Sequence, residues 1–244
     1  MEKSYSPHQK PAPFRRQRIL AVLSAVFLLI ASLCFAKWMT PERKPVLAEL
    51  SRPVLVIDPG HGGIDGGAIA YNGVKESDLN LSISLKLQNL AVFYGLSPVM
   101  TRQDDSPRTD ALRYSEHEDL EHRAQIANEQ PSCVLFSVHQ NTFPTSQPSG
   151  AQVLYGPDAE SRRLGELTHR NLIEGLQPEN RRVAAPAPKE LFLTSHVNCP
   201  VVLVECGFLS NLSDLQRLSD SRYQSGIAAA LLGSYLQFTD TSQV

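Results

Sequence analysis

The chain has 244 residues, of which 42% are hydrophobic and 20% are charged, a composition typical of one globular domain with an additional segment. Residues 1–50 carry eight Lys or Arg and three Glu, whereas the remaining residues carry 15 basic and 22 acidic side chains. This acidic body excludes nucleic acid as a partner, because phosphate contacts require clustered Lys and Arg.

The first element along the chain is an uncharged apolar run at residues 19–36, preceded by a basic segment at 1–18. About twenty apolar residues span a bilayer as a helix, so the run predicts a transmembrane anchor. The basic flank is expected to stay in the cytoplasm, which places the rest of the chain outside. A signal peptide cleaved after Ala36 is the alternative. Residues 37–52 are expected to form a polar linker to a domain at 53–244.

From residue 53 onward, apolar runs bounded by turn residues alternate with helical patterns. Several runs are apolar on both faces, as in strands that helices cover on both sides. Strands are expected at 53–58, 96–102, 133–139, 151–156, 190–195 and 200–206, and helices at 79–94, 120–130, 160–177 and 214–238. The alternation predicts a three-layer α/β fold, in which a mainly parallel sheet is flanked by helices. An exposed loop is expected at 103–119 and an irregular stretch at 183–188.

The four cysteines show no CxxC spacing, so a cysteine zinc site is not expected. Cys199 and Cys206 lie at opposite ends of one predicted strand, too far apart for a disulfide. Cys133 and Cys199 each begin a predicted strand and can pair only if the two strands are neighbours. The expectation for these two residues is a pair of free thiols.

Four polar side chains stand at the ends of predicted elements. His61 and His139 follow or end the first and third strands, Glu205 ends the last strand, and Glu76 enters the first helix. The carboxyl ends of parallel strands gather the binding site of such a sheet. Two imidazoles and one carboxylate form a common ligand set for catalytic zinc, and a further carboxylate can serve as general base. The pattern therefore predicts a metal-dependent hydrolase.

The glycines around His61 support this interpretation. Gly60, Gly62 and Gly63 permit positive φ angles and close backbone approach, so the chain can turn sharply from a strand toward a metal. A phosphate-binding loop is not expected, because the GK[ST] ending and the GxGxxG spacing are missing. The other histidines are expected at the surface, with His196 a candidate for the edge of a cleft: His8, His117, His122, His169 and His196.

Four stretches occur in a fixed order: "IDPGHGGIDGGA", "KESDLNL", "FSVHQN" and "PVVLVECGFLSN". Together they resemble the zinc-dependent N-acetylmuramoyl-L-alanine amidases of bacterial cell-wall turnover, over about residues 53–238. The resemblance implies a twisted α/β sheet and peptidoglycan as the substrate. It also implies that His61, Glu76 and His139 bind Zn²⁺ and that Glu205 is the catalytic carboxylate. Asn141, in the third stretch, is a candidate for binding the substrate.

The single N-terminal anchor and the stretches "ALRYSEHEDLEHRAQIAN" and "SGAQVLYG" carry a narrower resemblance, to the sporulation amidase that helps to form muramic lactam in spore cortex. With this resemblance, the anchored catalytic domain is expected outside the cytoplasm or in the intermembrane space of a forespore, and an activating partner protein is a candidate partner. The segment between Glu76 and His139 leaves little room for the blocking helix of division amidases. The alternatives are a zinc carboxypeptidase and an inactive peptidoglycan-binding module. Such carboxypeptidases carry an HxxE motif, and Ile64 argues against this alternative because it stands three residues after His61, where that Glu would be.

Overall fold

The computed structural model describes residues 23, 24, 26, 28, 31, 32, 52–105 and 114–240. The chain divides into two units, residues 1–51 and 52–244, and the described residues of the first unit are helical. Within the described part of the chain, no helix is long and apolar enough to cross a membrane. Six residues of the predicted anchor at 19–36 are described, and the rest of the anchor and residues 37–51 of the predicted linker lie outside the described residues.

The second unit is built on one sheet of six strands. The strands are β1 (Val54–Pro59), β2 (Val99–Met100), β3 (Cys133–Asn141), β4 (Gln152–Tyr155), β5 (Ala185–Pro186) and β6 (Val201–Phe208). Their order across the sheet is β2-β1-β3-β6-β4-β5. Four pairings are parallel, and β4 pairs with β6 in the antiparallel direction, so the sheet is mixed. The central strands β1, β3 and β6 are almost completely buried.

Helices cover both faces of this sheet. They are α1 (Glu76–Phe93), α2 (Glu116–Asn128), α3 (Ala159–Leu176), α4 (Phe192–His196), α5 (Leu212–Leu218) and α6 (Ser221–Thr239). Successive side chains of a strand point to opposite faces, and β3 shows this directly. Phe136 joins the large core cluster formed with α1, α3 and α6, whereas Leu135 joins a smaller cluster that includes Ala127 of α2. The expected α/β fold with flanking helices is therefore confirmed.

Several predicted boundaries differ from the structure. The strand expected at 190–195 is instead the helix α4, whose turn is stabilised by the Thr194 hydroxyl donating to the Leu191 carbonyl; periodicity alone does not separate a short apolar strand from a short buried helix. The helix expected at 214–238 is two helices, because Asp220 caps a new one. The surface position expected for His169 is also wrong. Its ring is buried, with Nε2 2.7 Å from the carbonyl oxygen of Arg182.

The expectation of two free thiols is also wrong, because Cys133 and Cys199 form a disulfide with a Cα–Cα distance of 5.6 Å. β3 and β6 are neighbours, and Leu135 is paired with Val201 in the parallel register. The residues two positions earlier on each side therefore lie opposite one another. Cys206 is the free cysteine of the described residues, and it is buried.

Replacing both bridged cysteines by alanine is expected to lower the free energy of unfolding by about 2–5 kcal/mol. The bridge joins residues 66 positions apart, so its loss leaves a much larger unfolded ensemble. Urea denaturation of the wild type and of Cys133→Ala/Cys199→Ala under non-reducing conditions measures the difference. Adding a reductant to the wild type is the matched control. Equal unfolding free energies for all three samples would contradict a stabilising bridge.

Candidate active site

The sheet brings the predicted site residues together at one end. His61 follows β1, His139 lies in β3, and Glu205 is paired with His139 in the register of β6. Glu76 is the first residue of α1. One ligand-capable atom each from His61, Glu76 and His139 lies within 4.8 Å of the others. These three side chains can therefore hold one metal ion, with the fourth residue beside it.

His61 occupies a tight turn that the neighbouring glycines make possible. Its φ is 59°, a value uncommon outside glycine, and Gly62 and Gly63 follow with φ of 132° and 62°. The Asp65 carboxylate lies 2.6 Å from His61 Nδ1, so this carboxylate fixes the ring and leaves Nε2 facing Glu76 at 3.3 Å. A carboxylate behind a ligating imidazole orients it and raises its basicity. Asp65 was not singled out from the sequence, although its position four residues after His61 was a usable signal.

Glu76 is buried and accepts hydrogen bonds from several directions. Its Oε1 lies 3.0 Å from His139 Nδ1 and accepts the backbone N–H of Gln140 at 3.1 Å, while Oε2 accepts the N–H of Ala68 at 3.0 Å. Burial alone raises the pKa of Glu76, but its hydrogen bonds to the two histidines outweigh burial and hold the pKa far below its ordinary value. The side chain is therefore an anion at neutral pH.

The pKa of His61 moves in the opposite direction. Burial lowers the pKa of this imidazole, but the hydrogen bonds and negative charges of Glu76 and Asp65 dominate and raise the pKa to about 9. In the absence of a metal, His61 is therefore protonated at pH 7. The net negative surroundings of the ring favour a cation at this position.

Glu205 differs from Glu76 because it has no compensating partner. Burial is the main effect on Glu205 and raises its pKa, the charges of His139 and His61 oppose this rise, and the charge of Glu76 adds to it, so that the pKa is about 7. Its Oε2 atom is buried and makes no hydrogen bond within the described structure. A buried carboxylate oxygen without a partner is rare, so this atom is available to a substrate, a water or a cation.

A cleft of about 330 Å³ opens over these residues. One wall is formed by Tyr114 and the first turns of α2, and the other by residues 190–194, including Phe192. Asn141 lines the cleft, whereas His196 is not among the lining residues. The His196 ring instead stacks on Phe192, with ring centroids 3.8 Å apart. The expectation that His196 lies at the edge of the cleft is therefore wrong, whereas substrate binding by Asn141 stays a prediction.

A buried ion pair under the His61 turn was missed by the sequence reasoning. Asp58 Oδ1 accepts from Arg123 Nη1 at 2.8 Å, and both side chains are almost fully buried. Burial raises the pKa of Asp58, but the Arg123 charge, followed by hydrogen bonds from Ser137 and Thr101, brings it below the ordinary value. Arg123 is 65 residues away in sequence, so no local pattern connects the two.

Gly60→Ala is expected to weaken metal binding by about tenfold or more, the range typical of disturbing groups behind a metal ligand. A Cβ atom at Gly60 would lie 2.2 Å from Nε2 of His139, so the ring would have to move. Gly175→Ala is the control, since an added Cβ there meets nothing within 4 Å. Competition with a chromophoric chelator for the metal ion measures the dissociation constant of each variant. Equal constants for Gly60→Ala and the wild type would contradict the close packing of His139 on this glycine.

The fold and the site define an α/β protein in which two histidines and a glutamate that could hold a metal ion converge beside a carboxylate whose Oε2 has no hydrogen-bond partner. Residues 55–234 match the Amidase_3 family, described as N-acetylmuramoyl-L-alanine amidase, and the chain belongs to this family. The predicted resemblance is thus confirmed. Membership of this amidase family also argues against the alternative that the chain is a zinc carboxypeptidase.

Individual relatives agree with the family. The germination-specific N-acetylmuramoyl-L-alanine amidase of Bacillus subtilis (strain 168) is 30% identical over 200 residues, which cover 80% of this chain and 83% of the relative. The CwlD amidase of Clostridioides difficile, solved in complex with the GerS lipoprotein, is 33% identical with a TM-score of 0.71. That match covers 76% of this chain and 99% of the other. An N-acetylmuramoyl-L-alanine amidase from Clostridium difficile 630 is 28% identical with a TM-score of 0.68, over 78% and 98% of the two chains.

Proposed function

We propose that this peptidoglycan amidase works with Zn²⁺ held by His61, Glu76 and His139, and with Glu205 as the proton acceptor. The observation that carries the proposal is the convergence of the three donor atoms within 4.8 Å, beside the unpartnered Oε2 of Glu205. Two nitrogens and one carboxylate oxygen with a remaining open position are the donor set of catalytic zinc. The residues present therefore fit the ion.

The reaction is hydrolysis of the amide between N-acetylmuramic acid and the L-alanine of the stem peptide. When bound, Zn²⁺ polarises the amide carbonyl and lowers the pKa of the attacking water. Glu205 takes a proton from this water and delivers it to the leaving amine of alanine, and its raised pKa suits both directions of transfer. Asn141 lines the cleft, and we propose that its side-chain amide contacts the substrate there.

Product analysis tests this proposal. Peptidoglycan is digested with the full-length protein after metal removal and again after adding Zn²⁺, and the products are identified by mass spectrometry. Stem peptides with a free N-terminal alanine are expected only with the restored metal. Equal release of these peptides by the metal-free protein would overturn the zinc mechanism.

Zinc binding is expected to release about one proton per ion at pH 7, since a ligating imidazole must be neutral. The pKa of metal-free His61 is raised to about 9, so protons compete with zinc at every pH below that value. The apparent association constant is therefore expected to rise about tenfold per pH unit between pH 6 and 8. Calorimetry in two buffers of different ionisation enthalpy measures the released protons. An affinity that does not change with pH would show that His61 is already neutral.

We also propose that the physiological substrate is spore cortex. The support is the germination-specific activity named for the Bacillus subtilis relative, which is similar over most of both chains. A B. subtilis strain lacking that amidase offers a test. Expression of this chain is expected to restore muramic lactam to the cortex. Normal vegetative-wall hydrolysis in vitro without any restoration in spores would contradict the cortex assignment.

The catalytic domain at 53–244 is proposed to lie outside the cytoplasm, or in the intermembrane space of a forespore, held by an anchor at 19–36. The support is the uncharged run with its basic flank and the disulfide between Cys133 and Cys199, since disulfides persist in oxidising compartments. Sequencing the N-terminus of the native mature protein tests the anchor. A protein that starts at Lys37 would show a cleaved signal peptide instead.

A lipoprotein is proposed as the activating partner. The support is the solved complex of the similar CwlD amidase with the GerS lipoprotein. Turnover of peptidoglycan by the purified protein is compared with and without that lipoprotein. Faster turnover in its presence is expected, and identical rates at saturating lipoprotein would contradict the proposal.

A further inference from the structure

A buried arginine lies between the two chain segments that carry the first two proposed zinc ligands. Arg102 follows β2, and its side chain is only 8% exposed. The guanidinium donates from Nε to the carbonyl of Pro59 at 2.9 Å, and from Nη2 to the carbonyls of Gly60 at 3.1 Å and Ser77 at 2.9 Å. A single planar group therefore bonds to two separate backbone segments.

These carbonyls belong to the immediate neighbours of the ligands. Gly60 directly precedes His61, and Ser77 directly follows Glu76. The same nitrogen atom of Arg102 bridges the two segments, so its position fixes how far apart they lie. No other side chain of the described residues donates to both of these carbonyls.

The surroundings of Arg102 indicate that it holds backbone rather than balancing a charge. Its fourth hydrogen bond, from Nη1, also goes to a carbonyl, that of Asp104 at 3.1 Å. Its ion pair with Asp105 spans 3.9 Å, and that carboxylate is 38% exposed. Arg123 differs because its guanidinium, besides donating to the carbonyls of Pro59 and His61, is ion-paired to Asp58 and Asp119 at 2.8 and 2.7 Å.

Gly62 allows Arg102 to approach this closely. A Cβ atom on Gly62 would lie 2.6 Å from Arg102 Nε, and the φ of 132° is one that other residues rarely adopt. The glycine next to His61 therefore serves two purposes, which are the sharp turn and the space for the guanidinium. Arg102 and the His61 turn are built to fit one another.

We propose that Arg102 is a positioning residue that sets the separation of His61 and Glu76 and thereby the affinity of the site for Zn²⁺. The inference rests on the proposed zinc function of these two residues. A lysine cannot replace Arg102, since one ammonium group does not reproduce the fixed fork of donors that spans several carbonyls. Metal affinity depends on such supporting groups, whose removal typically costs about 10–100-fold.

The test is the zinc dissociation constant of the full-length protein, measured by competition with a chromophoric chelator well below the unfolding temperature. Arg102→Lys is expected to bind zinc about 10–100-fold more weakly than the wild type. The matched control is Arg217→Lys, which removes an arginine that pairs with Glu179 and Asp214 outside the cleft. Its zinc affinity is expected to equal that of the wild type.

Two further measurements separate positioning from general stability. Circular dichroism confirms that metal-free Arg102→Lys is folded at the temperature of the zinc measurement, and millimolar methylguanidinium is expected to restore part of the zinc affinity of Arg102→Ala. If Arg102→Ala does not fold, the zinc affinity of Arg102→Lys alone tests the proposal. Folded Arg102→Lys with wild-type zinc affinity would overturn the proposal. A wild-type protein that binds no zinc would instead overturn the zinc site itself.

Discussion

Glu205→Gln is expected to reduce kcat for cleavage of muramoyl–alanine bonds by about 10²–10⁴, the usual contribution of general acid–base catalysis. Glutamine keeps the shape of the side chain and can hydrogen-bond the attacking water, but it cannot accept the proton. Glu205 lies in the cleft, and its buried Oε2 has no hydrogen-bond partner. Burial raises its pKa to a net value of about 7, near neutrality. Turnover on purified peptidoglycan measures the effect.

Zinc content provides the control for this variant. Glu205→Gln is expected to fold normally and to bind one zinc ion per chain, because Glu205 lies outside the group of three donors within 4.8 Å. Its thermal unfolding is expected to stay close to that of the wild type or to rise, since a buried carboxylate without a partner is replaced by a neutral amide. Loss of the metal from this variant would make Glu205 a ligand and would require the mechanism to be redrawn.

His61→Ala and His139→Ala are each expected to abolish stoichiometric zinc binding, and with it the activity. Each change removes one of three protein ligands, and the two that remain hold zinc poorly. In His61→Ala, Glu76 also loses a partner 3.3 Å away. Metal analysis after dialysis measures the loss. His117→Ala is the matched control, because this exposed histidine pairs with Glu121 on α2.

Retention of one tightly bound zinc ion by either histidine variant would contradict the assigned ligand set. Loss of zinc from His117→Ala would show that the protein loses metal through general destabilisation. The circular dichroism spectra of the metal-free variants distinguish these cases, because a destabilised variant loses the native spectrum whereas a folded variant that lacks one ligand keeps it.

The juxtaposition of His61, His139 and Glu205 could be predicted because each lies after a parallel strand or in its carboxyl-terminal half. Parallel strands direct their carboxyl ends to one edge of the sheet. Residues at these ends can therefore be expected to lie together even when the order of the strands is not known. Glu76 was harder to place by this rule, because it lies on a helix. The family resemblance implied its role as a ligand, and the backbone N–H of Ala68 now accounts for its orientation.

The disulfide illustrates what the sequence did not contain. Whether Cys133 and Cys199 pair depends on whether β3 and β6 are neighbours, which is a property of strand order. The sheet order β1-β3-β6 places them side by side, although the local pattern around each cysteine was compatible with a free thiol. The adjacency of these two strands is also what sets His139 opposite Glu205.

The supporting arginines escaped prediction for a related reason. Arg102 and Arg123 contact the His61 turn across 42 and 62 residues of sequence, and an arginine in a polar segment is typical of a surface position. Only the folded chain shows that carbonyl groups of the His61 turn lie outside the hydrogen-bonded strands. Buried carbonyl groups require donors, and the two arginines supply them. The helix α4 was missed because a five-residue apolar element gives too few turns for its period to be recognised.

Anomalous diffraction at the zinc absorption edge, from crystals of the zinc-loaded protein, tests the central claim most directly. The account predicts one strong peak within ligand distance, about 2.0–2.2 Å, of a nitrogen of His61, a nitrogen of His139 and an oxygen of Glu76. The Glu205 carboxylate is expected beyond that distance. A peak elsewhere, or one coordinated by Glu205 in place of Glu76, would contradict the account.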